Sequence, residues 1–446
     1  MDLVLTNAKA YIRNEIIDCC FAIEDGKIVK ISTYAKMPKA ERKINLEKLL
    51  VLPGLIDAHV HLRDEGKSYK EDFYSGTAAA AAGGFTTVLD MPNNDPVTMS
   101  AKTMRNRMET AENKILVNVG FYSEFPKKLK EIPEIVAEGP VGFKLFLAEQ
   151  IGGLNIDDDI AVIEAFKTIS QFGVTVAVHA EDKTMLEKSK EKLLKAQRND
   201  VRAFLEAHSE NVERVAVERV LKIAQQTNAH THICHVSSKD ALQEIRKAKE
   251  KRGSVTCEAT PHHLLLTEDF LNKIGTLAIT MPPVRSQSHA EALWLGIKKR
   301  WIDVIGSDHA PHTLAEKKAA NVWEAKVGVP GLETTLPLLL TAVKQKRLAL
   351  SELLRLTAEN PAKIFGLKKK GSLKVGNSAD LAVVSLKRKF KIDSSAFYSR
   401  AKFSPFDGWK VEGKAVKTFV NGQLVMDEGS IVGKPGTGKI IRRKHS

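Results

Sequence analysis

Two kinds of hydrophobic pattern divide the chain. The first fifty residues carry short apolar runs, Leu3 to Leu5, Cys20 to Ile23 and Ile28 to Ile31, with the turn pair Asp25-Gly26 between the last two. Alternation broken by Asp-Gly predicts strands and a hairpin. The pattern returns near the end in Leu381 to Val384, Val416 to Val420 and Gln423 to Met426, with Asn421-Gly422 between the last two. Asn-Gly at that spacing is a strong hairpin signal. Two β-rich ends predict one small discontinuous β domain, a β-sandwich built from residues 1–50 and 367–446.

The middle of the chain follows another rule. Eight short β-like runs occur at Gly54–Leu62, Phe85–Met91, Ile115–Tyr122, Val141–Phe146, Val174–Ala180, His230–Val236, Ser254–Thr260 and Asp303–Ser307. Helical patterns fill most gaps between them, at Ala78–Ala82, Asp158–Gln171, Val212–Gln226 and Ala241–Lys251. Eight strands alternating with helices over about 310 residues predict an α/β fold, a (β/α)8 TIM-like barrel, spanning 51–366.

Composition adds few exclusions. Apolar residues make up 43% and charged residues 27%, an ordinary globular balance. The net charge is +14, from 68 Lys/Arg against 54 Asp/Glu. From Ser385 to Ser446 there are 14 Lys/Arg and 5 Asp/Glu, so +9 of that excess sits in the C-terminal segment, with Arg442, Arg443 and Lys444 near its end. No zinc-finger or RNA-binding signature accompanies it. The reading is a solvated basic surface with a frayed tail and no nucleic-acid partner. No run of 18 uncharged apolar residues is present, so no membrane span is expected. Met1-Asp2-Leu3-Val4-Leu5 has an early acid and no basic n-region, which argues against a signal peptide. Four cysteines without a C-x-x-C suit free thiols in a reducing cytoplasm.

Barrels of this kind place their chemistry at the C-terminal ends of the strands. The first run ends Asp57-Ala58-His59-Val60-His61-Leu62-Arg63-Asp64. Alternation turns His59 and His61 to the same side, where two imidazoles can share a metal. The fourth run holds Lys144 in Gly142-Phe143-Lys144-Leu145-Phe146, a costly position for a charge. Either it meets a carboxylate, or its neutral amine reacts with carbon dioxide to give a carbamate able to bridge two metals. The fifth run ends at His179, followed by Glu181-Asp182. In the sixth, His235 lies nearest the strand end and is the candidate ligand, with His230 and His232 mainly structural. The eighth leads into Ser307-Asp308-His309-Ala310-Pro311-His312, where Asp308 can ligate zinc and move a proton. Histidine and carboxylate donors suit Zn(II). Two such ions near one another supply a hydroxide at neutral pH and polarise a carbonyl. The residues thus point to a dinuclear metal hydrolase.

Pro53-Gly54-Leu55-Ile56-Asp57-Ala58-His59-Val60-His61 resembles the opening motif of the cyclic-amide branch of the amidohydrolase superfamily, which holds dihydroorotases, allantoinases and dihydropyrimidinases (hydantoinases). The resemblance runs to Asn377-Ser378-Ala379-Asp380-Leu381. Within the branch, His61-Leu62-Arg63-Asp64-Glu65-Gly66, Lys70-Glu71-Asp72, Gly83-Gly84-Phe85-Thr86-Thr87, Met91-Pro92-Asn93-Asn94-Asp95-Pro96, Asp308-His309-Ala310-Pro311-His312-Thr313 and Pro330-Gly331-Leu332-Glu333-Thr334 are most similar to dihydroorotases.

That resemblance implies roles. His59, His61 and Asp308 bind one zinc, His179 and His235 a second, and Lys144 bridges them as its carbamate, which requires carbon dioxide. Arg63, Asn93 and His312 hold a substrate carboxylate, a use that fits a forked guanidinium. Asp308 is the catalytic proton carrier. The implied reaction is the reversible cyclisation of N-carbamoyl-L-aspartate to L-dihydroorotate in pyrimidine synthesis. A homodimer and an association with aspartate carbamoyltransferase occur in the family, and no feature of the chain demonstrates either. Two positions depart from the pattern. Glu65 stands where proline is usual. Met281, before Pro282-Pro283, replaces an asparagine that contacts the ring, leaving only its backbone for that purpose. An allantoinase or hydantoinase would share the metal ligands with less need of the carboxylate clamp. A non-catalytic scaffold would be expected to have lost ligands, and all six are present here.

Overall fold

In the computed structural model, which describes residues 1–251 and 253–443, the eight apolar runs of the middle region all form parallel strands. They are Leu55–Val60, Phe85–Asp90, Asn118–Glu124, Gly142–Phe146, Thr175–His179, Thr231–Ile233, Val255–Ala259 and Val304–Ile305, hydrogen-bonded in chain order. Almost every residue in them is buried. Burial on both faces explains why they read as apolar runs rather than as alternation. Helices between them start at side-chain caps: Asp72 accepts from Ser75 N, Ser100 from Thr103 N, Asp158 from Ala161 N and Ser238 from Ala241 N.

The barrel closes at one place that matters for chemistry. Val60 bridges His309, and the His61 N–H donates to His309 O at 2.8 Å. Asp57 reinforces the seam, since its Oδ1 accepts from His59 N and from Ser307 N, each at 3.1 Å. Closure therefore lays the first histidine pair beside Asp308.

The two chain ends meet in a nine-stranded sheet. Leu50–Pro53 is the junction, parallel to Leu3–Ile12 on one side and antiparallel to Leu381–Lys391 on the other. Both expected hairpin turns form. Asp25 and Gly26 have φ of 48° and 70°, and Asn421 and Gly422 have 49° and 79°. These turns also pack on each other: a Cβ on Gly26 would lie 2.7 Å from Asn421 O. Glycine is required there both for φ and for room. One face of the sheet buries Leu5, Phe21, Ile23, Val51, Leu381 and Phe419 in a core of its own. The opposite face adds Leu52, Ala382, Val384, Ala415 and Val420 to the barrel's core.

The expected basic surface and frayed tail divide into two outcomes. Lys387, Arg388 and Lys389 are exposed on the sheet's rim. The tail is not frayed through Arg443. Ile440 and Ile441 run parallel to the third barrel strand at Val119 and Gly120, and Arg443 N donates to Gly139 O at 3.0 Å. The fourth strand begins pairing with the third only at Tyr122. The free edge before that point accepts the tail, which local pattern could not reveal. The same contact explains why the third strand starts at Asn118 rather than Ile115: Ile115 O accepts from Gly436 N and Gly438 N instead. Lys444 lies outside the described residues.

Candidate metal and carboxylate site

His59 and His61 come from the first strand's C-terminal end, and Asp308 from just past the eighth. The Nε2 atoms of His59 and His61 lie 3.4 and 3.3 Å from the same oxygen, Asp308 Oδ1. Their orientation comes from behind. Glu258, in the seventh strand, takes the Nδ1–H of His59, and Asn93 Oδ1 takes that of His61 at 2.7 Å. A ring whose Nδ1 donates presents Nε2 as a lone pair. Burial, followed by the Arg63 charge, holds His61 well below the usual imidazole value, so it is neutral and fit to ligate. The three ligand atoms lie within 4.8 Å of one another. His59, Cys234 and Glu258 make a second group equally tight. There the His59 atom available is the Nδ1 already committed to Glu258, so that group is a support for the first.

A second pair faces the same cavity. His179 Nε2 donates to Glu181 Oε2 at 3.0 Å, and Glu181 Oε1 receives His208 Nδ1 at 2.8 Å. His179 Nδ1 is left as a lone pair, 3.0 Å from His235 Nε2. His235 Nδ1 is buried with no partner. Lys144 is fully buried, donates to Cys234 Sγ at 3.0 Å and lies over the Phe146 ring. Among the described residues no carboxylate forms an ion pair with it. Its charge bears on His59, His61, His235 and Asp308 alike. A lysine so placed, unpaired and between two sets of imidazole donors, fits a carbamate bridge, and the donor set fits two zinc-like ions.

These residues open into a cavity of about 510 Å³ that also exposes Arg63, Asn93, His312 and Met281. Arg63 Nε donates to Pro311 O at 3.3 Å, which turns its outer nitrogens inward. Arg63 Nη2 is 3.2 Å from His312 Nε2. His312 Nε2 is also 2.9 Å from Val327 O, an atom that only accepts, so Nε2 carries the hydrogen. That hydrogen goes to Val327 O, and the Arg63 guanidinium lies beside the ring at the edge of the imidazole cluster. Arg63, His235 and Asp308 have φ of 64°, 32° and 47°, a left-handed backbone that L-residues adopt at a cost.

The amidohydrolase family profile matches residues 50–425. The chain belongs to that family. Its relatives include a dihydroorotase of Methanothermobacter thermautotrophicus, 40% identical over 95% of this chain and 94% of that one. An L-hydantoinase of Paenarthrobacter aurescens is 32% identical over 100% of this chain and 98% of its own. The solved structure of an L-hydantoinase (dihydropyrimidinase) from Arthrobacter aurescens superposes with a TM-score of 0.95 at 32% identity, covering 99% of this chain and 100% of that one. This amidohydrolase is a metal-dependent cyclic amide hydrolase.

Nine of the ten residues singled out in the sequence line the cavity, and the tenth, Lys144, is buried beside Cys234. The sequence reading missed the residues behind them. Glu258 is a carboxylate inside an apolar run, the same signal that drew attention to Lys144. Burial raises it, and His59 and His232 more than reverse that, leaving it below the usual carboxylate range. His232, read as structural, serves as Glu258's second partner at 3.3 Å. Lys70 had no local signal beyond its place in Lys70-Glu71-Asp72, and Lys317 had none. No helix of the described residues is long and apolar enough to cross a membrane, and all four cysteines are buried and free.

Proposed function

We propose that this amidohydrolase is a dihydroorotase, which interconverts N-carbamoyl-L-aspartate with L-dihydroorotate and water in pyrimidine synthesis. The placement of Arg63 Nη2 at the cavity, 3.2 Å from a His312 ring that Val327 O holds, carries the reading. Val327 O accepts the His312 N–H, which leaves the Arg63 guanidinium nitrogen beside it for an acceptor in the cavity, and a ring carboxylate is such an acceptor. Asn93 completes the clamp: its oxygen is used by His61, so its amide N–H groups are free to face the cavity. Rings without a carboxylate have no use for this set.

His59, His61 and Asp308 would hold one zinc, His179 and His235 the other, and Lys144 would serve both as its carbamate. Zinc in such a site polarises the scissile carbonyl and makes water acidic enough to attack near neutral pH. Asp308 takes the proton of the attacking water and delivers it to the leaving ring nitrogen, acting first as base and then as acid. The clamp fixes the ring so that its amide carbonyl meets this proton carrier.

A hydantoinase is the second reading, favoured by Met281, which lines the cavity and offers no side-chain amide. One assay panel separates the two. Zinc-loaded protein is given L-dihydroorotate, allantoin and dihydrouracil. L-Dihydroorotate is expected to turn over fastest, and turnover of only the uncharged rings would overturn the proposal.

A further inference from the structure

His312 is held from both edges, and the second contact comes from a residue with no assigned role. Lys70 Nζ lies 3.2 Å from His312 Nδ1 and 2.8 Å from Glu316 Oε1. An ammonium only donates, so Nδ1 accepts. Val327 O has already fixed the hydrogen on Nε2. His312 is therefore a neutral ring held at both edges, its one N–H on Val327 O and its Nδ1 under the Lys70 ammonium, with Arg63 Nη2 3.2 Å from Nε2. Lys70 is almost fully buried, and Glu316 keeps its partner in place through a reciprocal cap with Thr313.

We propose that Lys70 is a positioning residue of the carboxylate clamp: it supplies the clamp's second positive charge and keeps His312 neutral and fixed beside Arg63, so that substrate recognition does not follow the protonation of a histidine. This rests on the dihydroorotase reading for its substrate, and on geometry alone for the state of the ring.

The groups around His312 show why Lys70 is needed. Arg63 faces its Nε2 side from the first strand's end. Glu316 Oε2 lies 3.6 Å from Nδ1, on the short helix Leu314–Lys317. Lys317, on that helix, is buried and donates to Ile279 O, Lys326 O and Gly328 O. Lys326 lines the same cavity. Burial, then Arg63 and Lys70, keep the imidazole far below its ordinary value. Without Lys70, Glu316 becomes the nearest group to Nδ1 and favours a proton there. The clamp would then borrow its second charge from His312 and gain a pH dependence it now lacks.

The test compares wild type with Lys70→Met and Lys70→Arg. For wild type, KM for L-dihydroorotate is expected to stay flat between about pH 6 and 8. Lys70→Met should raise KM about tenfold at pH 8 with kcat within about threefold, and KM should fall back as His312 gains its proton. Lys70→Arg should restore the flat profile. In parallel, ¹⁵N-histidine NMR reads His312 directly: Nδ1 unprotonated across this range in wild type, titrating in Lys70→Met. A flat KM in Lys70→Met, or an Nδ1 that stays unprotonated there, overturns the proposal. Lys70→Gln serves if the methionine variant fails to fold. Should wild type not accept L-dihydroorotate at all, the dihydroorotase reading falls, and the NMR comparison still decides the role of Lys70.

Discussion

Glu258 receives the Nδ1–H of His59 across the barrel and so turns the ring's Nε2 toward Asp308. Its second oxygen holds His232, while its first also accepts from the backbone N–H of His235 at 3.1 Å. One carboxylate thus orients a residue of each proposed zinc pair. Glu258→Gln keeps the shape and removes the charge. It is expected to weaken zinc retention about 10- to 100-fold, measured by competition with a chromogenic chelator. Retention equal to wild type would show that His59 needs no such support.

Asp308→Asn probes the proton carrier. An amide oxygen can still face His59 and His61, and it cannot shuttle a proton. Zinc content by elemental analysis should stay near wild type while kcat drops by roughly 10² to 10⁴. A variant with near-normal turnover would remove Asp308 from the role of base and acid.

Lys144 has a direct chemical test. Protein equilibrated with ¹³C-labelled bicarbonate should give a carbamate carbon resonance that is absent from Lys144→Met. The variant should also bind about one zinc or fewer per chain, since a second metal needs a bridging ligand. A carbamate signal that survives the substitution belongs to another amine.

Lys317 predicts a pH dependence of stability. Burial lowers it to about 7, against about 10.4 in an unfolded chain. Between those values the unfolded chain holds a proton that the folded protein has released, so stability rises with pH, by up to about 1.4 kcal/mol per unit. Below the folded value the folded protein must bury the charge, and the full penalty applies. Relative to Lys317→Met, wild type should gain on the order of 2 kcal/mol from pH 7.5 to 9.5 in urea unfolding. Parallel curves for the two proteins would mean that Lys317 does not titrate in this window.

Much of this was legible in the chain. The barrel strands are apolar runs because each is buried on both faces, so burial alone marks them. Asp25-Gly26 and Asn421-Gly422 announce their hairpins because few other pairs tolerate two positive φ values. Lys144 and the His59/His61 pair stand out because charge or metal-binding side chains at strand ends are costly without a purpose. Glu258 carried the same signal and was passed over. Lys70 carried only its place in Lys70-Glu71-Asp72, because its partners His312 and Glu316 are over two hundred residues away in sequence. The tail at Ile440–Ile441 was misread because a free edge on the third strand exists only once the fourth has taken its angle.

The amino-acid sequence by itself determined which side chains are available at the strand ends and that eight strands would alternate with helices. Both follow from local periodicity and local chemistry. Tertiary structure decided what those side chains can do. Barrel closure at Val60 and His309 brings His59 and His61 to Asp308, and Glu258, Asn93 and Glu181 choose which nitrogen each ring presents. A ring's free lone pair is set by the partner on its other edge, and those partners come from distant strands and loops that only the folded chain assembles.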